Sequence, residues 1–110
     1  MPHYMIQFAY TSEALNSLVR KPEDRTAAVE ALAKAAGGRL LGLYYHFGEY
    51  DGTVIADLPD DITAHALAVA VGASGGLRSS KTTRLFSPKD VVEAFAKAGK
   101  IPYSPPGKKP

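Results

Sequence analysis

The stretch Phe47-Gly48-Glu49-Tyr50-Asp51-Gly52 restricts the fold of this chain more than any other, because an apolar strand-forming run lies on each side of it. Leu40-Leu41-Gly42-Leu43-Tyr44-Tyr45-His46 leads into it, and Thr53-Val54-Ile55-Ala56-Asp57-Leu58 leads out. Two short β-rich runs joined by glycines and an acidic pair read as a hairpin. The hairpin should sit at the core of a sheet. Its first strand is apolar on both parities, with Leu41, Leu43, Tyr45 and Phe47 opposed to Leu40, Tyr44, His46 and Gly42. Such a strand needs cover on both faces.

The flanking segments supply the rest of a sheet and its helices. In residues 3 to 10, Tyr4, Ile6, Phe8 and Tyr10 alternate with Met5, Gln7 and Ala9, a period of two rich in aromatic and branched residues. Thr11 or Ser12 can then cap a helix carrying Leu15, Leu18 and Val19. Pro22, Glu23 and Asp24 suit a first helical turn, and Val29, Leu32, Ala33 and Ala36 form a stripe that Gly37-Gly38 ends. The proline favours a break or bend between residues 12 and 36. Asp60 or Asp61 can start a helix to about Gly72 that is apolar almost all round. Residues 77 to 86 read as a polar fourth strand. Ser87-Pro88-Lys89-Asp90 begins a last helix with Val91, Val92, Phe95 and Ala96 as its stripe.

The order is β-α-β-β-α-β with an added C-terminal helix, an α+β ferredoxin-like arrangement with helices on one face of an antiparallel sheet. The other face would carry apolar surface into water, which predicts a symmetric homo-oligomer assembled through it. At 110 residues the chain makes one domain, over 1–99, followed by a Pro/Lys-rich tail over 100–110 expected to be extended or disordered. The absence of cysteine excludes disulfides, thiolate metal sites and thiol catalysis. A net charge of +2 is too mild to point to nucleic acid or an anionic membrane. No run approaches a membrane span and the chain opens onto a strand, so the expected address is the cytoplasm.

Four segments together resemble the GYD-domain family. They are Ala9-Tyr10-Thr11 after the first strand, Gly37-Gly38 before the second, Gly48-Glu49-Tyr50-Asp51 in the hairpin and Pro59-Asp60-Asp61 before the long helix. The likeness spans roughly residues 3 to 87. It implies the dimeric α/β-barrel type of ferredoxin-like fold and brings no established reaction with it.

Chemistry is concentrated at the hairpin. Glu49 and Asp51 lie two apart, so an extended segment would put both on one face, where with His46 they could carry protons or hold a cation. The plainer reading is that acidic residues in a tight turn serve turn geometry. His46 shares a parity with Tyr44, and Tyr50 can place its ring in the core with its hydroxyl at the rim. A pocket between the open face and a partner would then be lined by Tyr4, Phe8, Tyr44 and His46, with Tyr50 nearby, or by the opposite-parity Tyr45 and Phe47. His65 lies one turn after Asp61 on the apolar helix and His3 stands at the terminus; both read as structural. No histidine spacing suits a metal, and no cofactor motif is present. Gly72-Ala73-Ser74-Gly75-Gly76 lacks the ending of a phosphate loop and sits at a helix C-terminus, where the dipole repels anions. The third strand lacks the basic and aromatic residues that RNA stacking needs. Two readings follow: a homo-oligomeric ligand-binding or assembly module, or a cofactor-free enzyme, monooxygenase- or isomerase-like, using His46 with Glu49 or Asp51.

Overall fold

The computed structural model describes residues 1–108. Its elements in order are β1 (His3–Tyr10), α1 (Ser12–Arg20), α2 (Thr26–Ala35), β2 (Arg39–Tyr45), β3 (Gly52–Asp57), α3 (Asp61–Ala73), β4 (Leu77–Leu85) and α4 (Pro88–Ala98). The strands form one antiparallel sheet in the order β2-β3-β1-β4.

Side-chain capping starts three of the helices. The Thr11 side chain accepts from Ala14 N–H, Asp60 from Thr63 N–H and Ser87 from Asp90 N–H, each satisfying a backbone donor that a helix start leaves free. The segment from 12 to 36 is two helices. Pro22, Glu23 and Asp24 lie in the connector rather than in a first helical turn, because the Asp24 carboxylate captures the Thr26 N–H and hydroxyl and sets the start of α2 there. Gly37, at φ +81°, turns the chain out of α2. Gly38 then passes so close to the Asp57 carbonyl that a Cβ would sit 1.9 Å from its oxygen.

Register assigns the two faces. Tyr4, Ile6 and Phe8 of β1 lie beside Ala56, Val54 and Gly52 of β3, and α1, α2 and α3 cover this face. Tyr4, Leu58 and Ala64 form the buried cluster there, with Ala36 and Leu67 packed against it. Met5, Gln7 and Ala9 face the other way with Thr53, Ile55, Thr83 and Lys81. That face mixes apolar and polar residues, since β4 contributes serine, threonine and lysine to it. In β2 a register shift between Leu40 and Gly42 puts Leu40, Leu43 and Tyr45 on the helix face and Gly42 and Tyr44 on the other. Simple alternation sets Leu40 with Gly42; a bulge inserts one residue and inverts the parity beyond it.

The helix α4 leaves this body. Among the described residues it packs as a layer on neither face, and the molecule measures 62 × 32 × 23 Å with a radius of gyration of 18.1 Å. A compact 100-residue domain has a radius of about 13 Å. Val92 and Phe95 on its stripe remain about two-thirds exposed. Residues 100–108 contain no helix or strand, and positions 109–110 of the expected tail lie outside the described residues.

Candidate functional site

A cavity of about 530 Å³ lies between the helix-covered sheet face and helices α1, α2 and α3, open to solvent along part of its wall. Its floor is Ile6, Phe8, Val54 and Ala56; its helix side is largely small or branched, with Ala14, Val29, Ala33, Ala68 and Val71. The sequence explains the space. The alanine-rich helices α2 and α3 present short side chains toward the sheet, so they rest on it at Tyr4, Leu58 and Ala64 without filling the region beyond. A sealed, empty apolar void of this size would cost on the order of 10 kcal/mol, comparable to the whole stability of a domain. This volume is also within the range of small-molecule sites.

The aromatic end of the cavity is ordered. The Phe8 ring meets Tyr10 and Tyr45 edge-on at 5.3 and 5.8 Å between centroids, and the Tyr10 and Tyr45 hydroxyls are 3.0 Å apart. Burial, then the hydrogen bond with Tyr45, pushes the Tyr10 phenol well above its ordinary pKa, so it stays neutral. Tyr10 lines the main cavity; Tyr45 lines a smaller recess formed with Leu18, Pro22, Glu23, Asp24 and Arg25. Glu23 and Arg25 belong to both and are ion-paired at 3.1 Å.

The hairpin residues have local duties. The Asp51 carboxylate accepts the Tyr10 N–H at 2.8 Å, its own N–H donates to Phe8 O at 2.8 Å, and its carbonyl accepts His46 N–H at 2.9 Å. Asp51 thus ties the hairpin end to β1. His46 Nδ1 lies 2.9 Å from the Phe47 carbonyl oxygen, which can only accept, so that nitrogen carries the proton. Its Nε2 then accepts from the Thr53 hydroxyl at 2.6 Å. Glu49 is exposed, and its carbonyl accepts from Arg78 at 3.3 Å. Gly48, at φ +109°, makes the hairpin tip, with Phe47 fully exposed beside it and Tyr50 half-buried.

The expected lining set is divided between faces. Tyr4 and Phe8 stand on the helix face, while Tyr44 and His46 stand on the opposite one. Phe8 borders the cavity, joined by Tyr10 and, at the recess, by Tyr45. Tyr4 is buried, its hydroxyl donating to Asp61 at 2.5 Å with Arg84 over its ring, and burial and that carboxylate push its pKa up to about 12.

Sequence reasoning passed over one constellation. His3 opens β1, Asp57 closes β3 and Arg39 opens β2, and register sets the three in one row. The Asp57 carboxylate, only 4% exposed, is hydrogen-bonded by His3 Nδ1 and, at 2.9 Å, by Arg39 Nε. Burial alone would raise its pKa; the bonds from Arg39 and His3 outweigh that and hold it below the usual carboxylate value. Three residues spread over 55 positions give no local pattern to find. Among the described residues, no group of three or more His, Asp or Glu side chains is arranged to hold a metal ion, and no helix is long and apolar enough to cross a membrane.

Sheet order, helix placement and an apolar cavity beneath the helices define an α+β protein of the ferredoxin-like class. Within that class the chain belongs to the GYD domain family, whose model matches residues 4–95. The family signature thus covers the hairpin, the cavity and most of α4. No curated protein matches the sequence. Among solved structures the chain is similar to one described as the crystal structure of FFRP-DM1, at 15% identity over 78% of this chain and 100% of that one, with a TM-score of 0.45. So distant a likeness has no bearing on function.

Proposed function

We propose that this protein is the subunit of a symmetric homo-oligomer that binds a small molecule. The observation that carries the reading is the 530 Å³ apolar cavity, with few polar groups and a defined aromatic end. Assembly is supported by the helix-free sheet face, where Tyr44 is 68% exposed, and by α4. Phe86, Val92, Phe95, Ile101 and Tyr103 are each more than half exposed, on or beside that helix. Aromatic side chains bury roughly 150–250 Å² each, so two reciprocal arms and the surfaces they cover reach roughly 1,600 Å², the size of an ordinary stable interface. A second copy offers both surfaces in equal number, and a two-fold arrangement closes. The expected compartment is the cytoplasm, in keeping with a chain that has no cysteine to oxidise.

Native mass spectrometry of the protein as purified, with a denatured control, tests both halves. A dimer or larger assembly with a discrete retained mass is the expected spectrum. A monomer at micromolar concentration would overturn the assembly half. An oligomer that stays empty after incubation with apolar compounds would overturn the binding half.

A further inference from the structure

We propose that the cavity takes an uncharged, ring-containing molecule bearing a hydroxyl or carbonyl group, with the rings between sheet and helices and the polar group at the Tyr10–Tyr45 hydroxyl pair. The proposal rests on the ligand-binding reading and adds the chemistry of the ligand. The lining is the first argument. A floor of apolar sheet residues faces helix residues that are mostly alanine, valine and leucine, and a ring system can pack between two such apolar walls. Phe8 offers its ring at one end, where a second aromatic system packs favourably.

Charge is the second. Among the described residues, Glu23 and Arg25 are the only charged ones lining the cavity, and they neutralise one another at 3.1 Å. An anion would meet Glu23 and, in the recess, Asp24, whose carboxylate is held ionised by its bonds from Thr26. A cation would leave water for an apolar wall with its one carboxylate already paired. A neutral ligand avoids both penalties.

Hydrogen bonding is the third. Two hydroxyls that share one hydrogen bond at 3.0 Å leave one hydrogen and several lone pairs unused. Tyr10 borders the cavity and Tyr45 the recess, so this pair marks the junction between them. A ligand hydroxyl or carbonyl can be met there as donor or acceptor.

The test is a fluorescence titration of the full chain with N-phenyl-1-naphthylamine, followed by displacement with naphthalene, 2-naphthol and naphthalene-2-sulfonate. The expected result is saturable binding of about one probe per chain, with 2-naphthol displacing it about tenfold more tightly than the sulfonate. Tyr10→Phe combined with Tyr45→Phe should erase an advantage of about fivefold of 2-naphthol over naphthalene, the worth of one hydrogen bond. Ala68→Trp, and separately Ala14→Phe, should block the probe while the far-ultraviolet circular dichroism stays that of the parent. A sulfonate that competes as well as the naphthol would overturn the ligand class and leave ligand binding standing. Absence of any saturable binding would instead remove the ligand-binding reading itself. Probe binding that survives both blocking variants in folded protein would move the site to exposed surface such as Phe47, and overturn the assignment.

Discussion

Gly52 lies outside the left-handed region of backbone space, so its contribution is its size. A Cβ at this position would stand 2.4 Å from the Phe8 ring, and that ring is wedged against Tyr10 and Tyr45. Gly52→Ala should therefore cost about 2 kcal/mol, as overpacking usually does, and the loss should be largely relieved by adding Phe8→Leu. Urea denaturation of the three proteins measures it; equal stability of parent and Gly52→Ala would remove the argument. At Asp57 the test is acid. Its folded-state pKa is depressed, so the stabilisation it supplies is full above the unfolded carboxylate value of about 4 and is lost as pH falls through the folded one. Asp57→Asn should lower the melting temperature at pH 7 and flatten its decline below about pH 4. Parallel melting curves for parent and variant between pH 2 and 5, ~2 °C apart or less throughout, would contradict this.

At the scale of elements, α4 is amphipathic, well capped by Ser87 and Pro88, and makes almost no use of its apolar stripe within the chain. A short helix of this kind draws most of its stability from packing, and within the chain α4 finds little of it. Ending the chain after Ser87 should leave the melting temperature of the four-stranded body within a few degrees, about 5 °C or less, and shift the proposed assembly toward monomer. Light scattering on the truncated and parent proteins decides it. Unaltered oligomer mass would assign the interface to the sheet face alone. The caps that start α1, α3 and α4 were legible because each is a short local pattern. The start of α2 was not, because Asp24 rather than Pro22 sets it.

At the scale of the molecule, the cavity and the two sheet faces arise from how layers meet. Alternation in β1 correctly grouped Tyr4, Phe8 and Tyr10, yet could not say which group the helices would cover. In β2 the bulge after Leu40 exchanged the parity of every later residue, which separates Tyr44 and His46 from Phe8 and brings Tyr45 to it. The aromatic end of the cavity was therefore hidden from any reading that followed parity along the chain. The row of His3, Asp57 and Arg39 was hidden for a similar reason, since it exists only in the register of three strands.

What the sequence by itself determined are the properties set by neighbours along the chain: the strand periods, the capping residues, the glycine-bearing hairpin and hence the order of elements. These follow from backbone sterics and local hydrogen bonds, which act over a few residues. Tertiary structure alone decided which face the helices cover, that alanine-rich helices leave space above the sheet, and that α4 stands apart from the body. Those outcomes depend on the volumes of side chains far apart in sequence, and a volume left unfilled leaves no mark on any single residue.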